Sequence, residues 1–533
     1  MDSNGKQVAR NLTLFGFFSL TASMVLTVYE YPTFATAKLH LVFFLVLGGI
    51  FWFLPVALCA AEMATVNGWN QNGGGIFSWV KHTLGERWGF AAIFFQWFQI
   101  TVGFITMIYF ILGALSFVFN WPALNQVPVI KFFGVLIIFW LLTFSQFAGT
   151  KYTARIAKWG FSLGILIPSV ILFVLAICYI IKGGPLQLSF SARAFVPDFA
   201  HLNTLVVFVS FVLAYMGVEA SASHINELKR PKRNYPLAMF ILVILAICLD
   251  TFGGFTVAAV VPAKEISLSA GVVQAFNYLL LYTNPQLGWL VKLIALMIAA
   301  GVMAEISSWV IGPSRGMFAT AQQGILPRWF RKTNKSGVPI PLIVVQGIIV
   351  SIWDAVLTFG GGSDNVSFFA AMSLTVVIYL VGYLLFFIGY LVLIFKKKQL
   401  KRTYEIPGGT FGKAVVSICG LLVSLFTFGI SFVPPSTLPR SSDSAYLGVL
   451  IISFIIALIL PFIIYAFHHK WGGTTITMTI PSTSVPRMSF QQYHQLLVVS
   501  ITLSQKLFQM KTRQQVNLHI KIRRLFIYGW IIW

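Results

Sequence analysis

Two apolar stretches of the chain place a carboxylate beside residues that interrupt a helix. In the first stretch Glu30 follows Tyr29 and precedes Pro32, and in the sixth Glu219 follows Gly217. An ionised carboxylate inside a membrane is unfavourable by several kcal/mol unless a cavity or a partner supports it. Interrupted backbone at that depth is tolerated only where it faces a cavity or protein, because lipid cannot satisfy its polar groups. Breaks at corresponding positions of two halves therefore indicate a solute site at the interface of an inverted repeat, and hence a transporter.

Other polar residues inside apolar stretches are candidates for the same site. Glu219 is the carboxylate that we most expect to be functional. The alternative interpretation is that Glu219 is only a charge at a helix end, paired with a lysine of a loop. Glu305 and Trp309 are four residues apart, so they share one helix face and are expected to line the translocation path. Tyr379 and Tyr383 have the same spacing, and both bundle packing and substrate contact stay open for them.

Three more glutamates are candidates for gating. Glu30 either bonds the unwound backbone or acts at a gate, and both interpretations stay open. Glu62 ends the second apolar stretch and Glu227 ends the sixth, and both lie near basic loops. We expect them to form ion pairs at an inner gate, with an exposed helix-end charge as the alternative.

The composition excludes a soluble globular protein. Hydrophobic residues make up 58% of the 533 residues, charged residues only 10%, and the mean hydropathy is +0.84. A soluble domain would have a charged share near one quarter. The first apolar stretch, 12–35, is too long for a signal-peptide core and lacks a small-residue cleavage site, so we expect it to remain in the mature chain.

Runs of about twenty apolar residues predict an all-α integral membrane protein with about twelve transmembrane helices. Their expected limits are 12–35, 40–64, 89–119, 129–148, 158–181, 204–226, 236–262, 287–313, 340–360, 366–395, 413–433 and 446–467.

The lysines and arginines concentrate in alternate loops, which predicts the orientation of the chain. Clusters occur at 81–87, 151–158, 229–233, 315–335 and 396–402, whereas the loops between them contain few bases. Because positive loops stay cytoplasmic, both termini, including residues 1–11, are expected in the cytoplasm. The net charge of +23 is spread over separate loops and so favours anionic lipid as a partner rather than nucleic acid.

The motifs of several other functional classes are missing from the sequence. No Gly-x-x-x-x-Gly-Lys-Ser/Thr loop is present to bind nucleotide phosphates, and no repeated filter sequence or ring of charges suggests a channel. The four cysteines lie in apolar stretches, and the histidines lack paired ligand spacing. We therefore expect no enzyme activity, no metal and no cofactor, which leaves a carrier driven by solute gradients.

Several segments together carry a family resemblance. The most specific is Val-Tyr-Glu-Tyr-Pro at 28–32, within a longer matching run at 15–36, and further matches lie at 59–66, 149–155, 215–222, 312–317, 374–380 and 401–403. Gly-Val-Glu at 217–219 is shared by many amino acid, polyamine and organocation carriers. The set as a whole resembles the bacterial glutamate/γ-aminobutyrate antiporters of acid resistance, which belong to the amino acid-polyamine-organocation superfamily.

This resemblance implies a LeuT-like five-plus-five inverted repeat with broken helices 1 and 6. Its halves would be 12–181 and 204–395, followed by two extra helices at 413–467, all within one transporter domain at 12–467. It also implies exchange of extracellular glutamate for intracellular γ-aminobutyrate across a bacterial inner membrane. A separate cytosolic glutamate decarboxylase would consume a proton, so the pair would support acid resistance.

The breaks and the resemblance together assign roles to individual residues. Exposed N–H groups at a half-helix start suit a substrate carboxylate, and freed carbonyl groups suit its ammonium. Glu219 and Glu305 are expected to couple proton occupancy to substrate binding, and Glu30, Glu62 and Glu227 to act at gates. The expected substrate-binding residues are Met24, Thr27, Tyr29, Tyr215, Gly217, Trp309, Tyr379 and Tyr383.

The tail at 468–533 departs from this family. It contains no acidic residue and ends in a basic, aromatic-rich segment, whereas relatives carry a short polar tail that plugs the cytoplasmic mouth. We expect either a frameshift near residue 468 or a membrane-surface segment. The plug of the relatives therefore cannot be assigned to residues of this chain.

Two alternatives to glutamate/γ-aminobutyrate exchange stay open at this point. One is an exchanger or permease for another amino acid. The other is a membrane receptor or partner subunit that uses the same fold without transporting a solute.

Overall fold

The fold is helical throughout the part of the chain that the structure describes. The structure is a computed structural model that describes residues 12–69, 75–148, 159–188, 191–222, 225, 228–360, 364–435 and 439–471. Within those ranges the only β contacts are two isolated bridges, one between Leu12 and Leu228 and one between Val66 and Arg402. This confirms the all-α membrane class predicted from the sequence.

The α-helices of five residues or more in these ranges are numbered in chain order. They are α1 Leu14–Val25, α2 Tyr31–Thr36, α3 His40–Gly48, α4 Leu54–Ala64, α5 Ile76–Leu84, α6 Glu86–Val118, α7 Pro128–Ser145, α8 Ile167–Ile181, α9 Phe208–Leu213, α10 Val218–Ala222, α11 Pro231–Val260, α12 Gly271–Thr283, α13 Gly288–Gln322, α14 Ile340–Gly360, α15 Asp364–Lys396, α16 Gly409–Ile430 and α17 Asp443–Ala466.

Ten continuous helical segments in the described ranges are long and apolar enough to cross a membrane. Two of them contain a π-helical turn, at Gly49–Phe53 between α3 and α4 and at Ser162–Leu166 before α8. The ten segments coincide with ten of the twelve stretches predicted from hydropathy, with limits that differ by a few residues. The two remaining stretches, the first and the sixth, are the ones that the structure divides into shorter helices.

The first stretch is interrupted between α1 and α2. Helix α1 ends at Val25, and Leu26 has an extended backbone with φ −85° and ψ 122°. Pro32 lies in the first turn of α2, where its missing N–H costs no helical hydrogen bond. The break predicted beside Glu30 is therefore confirmed.

The second interruption separates α9 from α10. The N–H of Tyr215 bonds the carbonyl of Val212 at 3.1 Å, and the N–H of Met216 bonds that of Leu213 at 2.9 Å, so the turn tightens before it ends. Gly217 then adopts φ +94°, a left-handed conformation that favours glycine. The second predicted break is confirmed as well.

Helix α6 lies at the centre of the bundle. Nearly every side chain between Gly89 and Ala114 is buried, as expected for a helix that is apolar on all sides. It packs along α13 and α15, with α5 and α14 beside it. The side chains of α6 that point toward the two breaks are thereby held in a fixed position.

Small residues allow the segment before α8 to approach α13 closely. A Cβ atom on Gly164 would lie 2.3 Å from the Cα atom of Gly301, so both positions require glycine. Contacts between small residues are a common way of bringing membrane helices together, because lipid offers no hydrophobic driving force for their association. This contact fixes α13, which carries Glu305 and Trp309.

Candidate functional site

A cavity lies where the two helix breaks meet α6, α13 and α15. The first break contributes Val25, Thr27, Tyr29 and Glu30 to its wall, and the second contributes Leu213, Ala214 and Met216. The three long helices supply the rest of the wall, including Gln99, Thr106, Glu305, Trp309, Thr375 and Tyr379. Interrupted backbone thus faces a cavity at both breaks, as the chemistry of a membrane interior requires.

Six of the residues predicted from the sequence are brought together in this wall. They are Thr27, Tyr29, Glu30, Glu305, Trp309 and Tyr379. Glu305 and Trp309 face the same cavity, which confirms the shared helix face predicted from their spacing. Their contact with a substrate stays a prediction.

The acidic character of the cavity comes from Glu30 and Glu305. Both side chains are buried, with exposed fractions of 3% and 7%. The Oε2 atom of each has no hydrogen-bond partner among the described residues, while Glu305 makes a side-chain hydrogen bond with Thr27. The described residues that line the cavity include no lysine or arginine. Two partly unpaired carboxyl groups in a closed space suit a ligand that carries an ammonium group.

Glu219 lies behind the second break rather than in the cavity wall. Its Oε1 atom accepts hydrogen bonds from the hydroxyl of Tyr379 and from Nε2 of Gln96, the latter at 2.7 Å, and its Oε2 atom accepts one from Tyr383. These donors come from α6 and α15, and no lysine takes part. The alternative interpretation, in which Glu219 pairs with a loop lysine, is therefore wrong among the described residues.

Tyr383 also holds the backbone of the second break. Its hydroxyl accepts a hydrogen bond from the N–H of Gly217 at 3.0 Å. The indole of Trp309 lies against the same glycine, since a Cβ atom on Gly217 would be 2.6 Å from the ring. The N–H of Gly217, one of the expected substrate-binding residues, is thus bonded to a tyrosine in this structure.

Tyr215 points away from the cavity. Its hydroxyl donates to the carbonyl of Leu45 at 3.0 Å, and its ring packs edge-on against Phe53. Tyr215, Gly217, Tyr383 and Glu219 are not among the residues that line the cavity. A direct contact of Tyr215, Gly217 or Tyr383 with a substrate stays a prediction, as does proton coupling by Glu219.

Comparison with known proteins identifies the family. A family model described as amino acid permease matches residues 12–471. The chain belongs to the amino acid permease family. Its members are multi-pass membrane transporters, in agreement with the ten membrane-length helices of the described ranges.

Individual relatives of this amino acid permease are similar over most of its length. It is 67% identical over 467 residues to the "Glutamate/gamma-aminobutyrate antiporter" of Lactococcus lactis subsp. lactis, which is 88% of this chain and 92% of the relative. It is 68% identical over the same length to the protein of that name from Lactococcus lactis subsp. cremoris. An uncharacterized transporter of Legionella pneumophila is 30% identical over 459 residues, 86% of this chain and 97% of the relative. The resemblance inferred from the short segments is confirmed.

The permease uses Glu62 in a buried ionic cluster. The Oε1 atom of Glu62 lies 2.9 Å from Nη1 of Arg402 and 2.9 Å from Nζ of Lys413, and its Oε2 atom accepts from the hydroxyl of Tyr390 and the N–H of Ile406. Glu62 is fully buried. The predicted ion pairing is confirmed, and its bases come from the segment between α15 and α16 and from α16 itself. A gating role for Glu62 stays a prediction.

For some of the residues expected from the sequence, no side-chain contact can be described. Met24 lies in the last turn of α1. Three of the expected features lie outside the described residues: Glu227, the family segment at 149–155 and the tail from residue 472.

The structure also reveals polar residues of the permease that the sequence analysis missed. Gln96 and Gln99 lie on α6, one bonded to Glu219 and one in the cavity wall. Two glutamines three residues apart in an otherwise apolar helix were the signal that could have found them. Asp250 on α11 and Asp354 on α14 are buried carboxylates, and Asp354 accepts a hydrogen bond from Thr358 at 2.8 Å.

Proposed function

We propose that this chain is a secondary antiporter that exchanges extracellular glutamate for intracellular γ-aminobutyrate by alternating access. The observation that carries the proposal is the 67% identity, over 467 residues, to a relative named as this antiporter. The cavity between two helix breaks supports it, because such sites hold small solutes near the middle of the membrane. The proposed activity is the exchange of two solutes across the membrane, which requires no covalent chemistry on either of them.

The ligand would be oriented by its two charged ends. Its ammonium group would face the unpaired carboxyl oxygens of Glu305 and Glu30, and its carboxylate would face the backbone of a break near a half-helix start. The residues that shape this space would be Thr27, Tyr29, Trp309 and Tyr379. We propose substrate contact for Met24, Tyr215, Gly217 and Tyr383 as well. Both proposed substrates carry an ammonium and a carboxylate, so one site would serve in both directions.

Protons would act on the exchange by binding to carboxyl groups at or near the cavity. Glu305 lies in the cavity, where its protonation would change the charge that a ligand meets. Glu219 is bonded to the tyrosines that also contact the second break, so its protonation would alter the hydrogen bonds that hold Gly217. We assign proton coupling to these two residues and gating to Glu30, Glu62 and Glu227.

The architecture would follow the five-plus-five inverted repeat, with halves at 12–181 and 204–395 and two added helices at 413–467. Both termini would be cytoplasmic in a bacterial inner membrane, because the basic loops alternate. Anionic lipids would contact those loops. A cytosolic glutamate decarboxylase would convert the imported substrate and consume a proton, which would link the exchange to acid resistance.

The tail of this chain would not form the cytoplasmic plug that the resemblance implies for its relatives. The family model ends its match at residue 471, and no acidic residue follows Asp443. We propose a frameshift near residue 468, and resequencing of the gene tests it. If the reading frame is intact, the basic and aromatic tail would lie on the membrane surface.

Reconstitution tests the proposed exchange. The purified full chain is placed in liposomes loaded with γ-aminobutyrate, and uptake of labelled glutamate is measured at about pH 5 and about pH 7.5, on either side of the histidine reference pKa. Uptake that depends on internal γ-aminobutyrate supports the antiporter. Liposomes without internal amine and liposomes without protein are the controls.

The outcome of this experiment also separates the alternatives. Uptake at acid pH only would mean that gating works without the plug, and equal uptake at both values would mean that the plug is lost. Absence of exchange with glutamate but exchange with another amino acid would point to a different substrate. Absence of all transport by the single component would favour a receptor or a partner subunit.

A further inference from the structure

A second cavity opens at the surface where α1 and α11 begin. It is lined by Leu14, Lys229, Arg230, Arg233, Asn234 and Leu237, with Thr13 at its edge. The three bases lie at the start of α11, and the apolar part of the lining consists of Leu237, one turn further along α11, and Leu14. It shares no residue with the cavity between the helix breaks.

Among the described residues, no carboxylate pairs with the bases of this groove. Lys229, Arg230 and Arg233 are exposed, and none of the three forms an ion pair with another described residue. The side-chain amide of Asn234 donates a hydrogen bond to the carbonyl of Lys229 at 2.6 Å, and this bond fixes the turn that carries the bases. Helix α11 starts here without a side-chain cap, so its positive end adds to the field of the bases. The groove therefore suits a phosphate or another anion.

The apolar end continues along the outer face of α11. Leu237, Ile241 and Ile244 are 38%, 42% and 47% exposed, and their spacing places them on one stripe of the helix. Phe240 extends the stripe at 55% exposure. This face runs directly away from the bases into the apolar part of the bundle surface. A free phosphate ion would use only the bases, whereas a phospholipid would use the bases and the stripe together.

We propose that this groove binds the headgroup of an anionic phospholipid, with an acyl chain along Leu237, Ile241 and Ile244. The three bases hold the phosphate, and the stripe covers the chain. The site lies at the height of the 229–233 loop, on the side of the membrane that the alternation of bases assigns to the cytoplasm.

The groove also joins the two interrupted segments. The N–H of Lys229 donates to the carbonyl of Leu12 at 2.9 Å, and Leu12 and Leu228 form a parallel bridge. The residues before the first broken helix are thus attached to those after the second. A lipid bound across Leu14 and Arg233 stabilises this attachment. Its effect on exchange rests on the proposed function, whereas its binding does not.

Lipid binding is tested on the purified full chain by native mass spectrometry. The protein in detergent is titrated with phosphatidylglycerol, and the fraction that retains the lipid is compared with phosphatidylcholine. Replacing all three bases, K229Q with R230Q and R233Q, is expected to weaken retention of phosphatidylglycerol about a hundredfold, at roughly fivefold per base. Phosphatidylcholine retention is expected to stay unchanged.

A matched variant controls for net charge. Arg328, Lys332 and Lys335 are also exposed bases in a loop, and R328Q with K332Q and K335Q removes the same three charges away from the groove. This control is expected to retain phosphatidylglycerol like the parent chain. Equal retention by both triple variants would overturn the proposal. Displacement of phosphatidylglycerol by inorganic phosphate at equal concentration would also overturn it, because the stripe would then contribute nothing.

A further variant tests the stripe without adding charge. L237A with I241A keeps the bases but removes most of the apolar surface of the stripe, and it is expected to lose retention about tenfold because less of the acyl chain is covered there. Unchanged retention in this variant contradicts the acyl-chain part of the proposal. If retention follows these expectations while liposomes show no glutamate exchange, the lipid site stands and only the proposed function fails.

Discussion

The hydroxyl of Tyr383 bonds both the carboxylate of Glu219 and the N–H of Gly217, the latter at 3.0 Å. One side chain of α15 therefore connects the backbone of the second helix break to the carboxylate behind it. Tyr379 lies beside Tyr383 with its ring centroid 4.6 Å away, bonds the same carboxylate and reaches the cavity wall. A change in the charge of Glu219 would be transmitted to the break and to the cavity through these two tyrosines.

Tyr383→Phe tests whether this connection serves exchange or only stability. The variant removes the bonds to Glu219 and Gly217 together, so we expect a loss of about 1–3 kcal/mol in unfolding free energy and a lower exchange rate. Tyr446→Phe is the matched control, because Tyr446 is a buried tyrosine that donates to Ser373 at 2.9 Å away from the site. Thermal unfolding in detergent and liposome exchange are measured for both. Equal losses of exchange in the two variants would contradict a specific role for Tyr383.

Glu219→Gln tests proton coupling. The amide keeps the shape and one acceptor but cannot bind or release a proton, so we expect exchange to become slower by about tenfold and less dependent on pH. The measurement is the rate of liposome exchange across pH, compared with that of the parent chain. Gln96→Met is the control, since it removes one donor to Glu219 and keeps the titratable group. A pH profile of parent shape in Glu219→Gln would exclude the coupling role.

Gly217→Ala tests the conformation of the second break. Gly217 has φ +94°, which costs a non-glycine residue about 1–2 kcal/mol, and the new methyl group would also meet Trp309 at 2.6 Å. We expect lower thermal stability and loss of exchange. Gly448→Ala is the control, because a Cβ atom there meets nothing within 4 Å and alanine favours the helix. If Gly448→Ala destabilised the protein as much as Gly217→Ala, the effect at Gly217 could not be attributed to its positive φ and its contact with Trp309.

Residue spacing predicted the parts of the site that depend on local sequence. Hydropathy gave the membrane segments, and Pro32 and Gly217 marked both breaks, because each of these signals acts within a few residues. The i, i+4 spacing placed Glu305 and Trp309 on one face for the same reason. Spacing could not give the partners of Glu219, since Gln96 and Tyr383 reach it from helices that are distant in sequence. The direction of Tyr215 toward Leu45 likewise depends on how the helices pack.

Glu62 shows a second case in which the partners are distant in sequence, and it yields a stability prediction. Glu62→Gln would remove the carboxylate that Arg402 pairs with and leave Lys413 with Glu405 alone, so we expect a loss of about 3–5 kcal/mol in unfolding free energy. Replacing the cluster together, E62L with R402M and K413M, is expected to recover most of that loss because no buried charge remains unpaired. Thermal unfolding checks both. A triple variant no more stable than Glu62→Gln would show that the cluster has no apolar substitute.

The pH dependence of stability near this cluster is set in part by Glu405. A hydrogen bond from Lys413, with Nζ 2.5 Å from Oε2, holds the pKa of Glu405 below its ordinary value, and Arg402 and Lys232 act in the same direction. A carboxyl group with a lowered pKa stabilises the folded state above its unfolded pKa of about 4.3, and this contribution disappears as the pH falls through the lower folded value. The side chain is 56% exposed, so the contribution is below about 1 kcal/mol.

Glu405→Gln is therefore expected to lower stability slightly at neutral pH, and its difference from the parent chain is expected to shrink as the pH falls below the ordinary carboxyl range. Measuring both chains again with Lys413→Met completes a double-mutant cycle, in which the effect of Glu405→Gln at neutral pH should vanish. A difference between Glu405→Gln and the parent that grows as the pH falls would have the opposite sign. It would mean that protonated Glu405, rather than its ion pair with Lys413, stabilises the connection between α15 and α16.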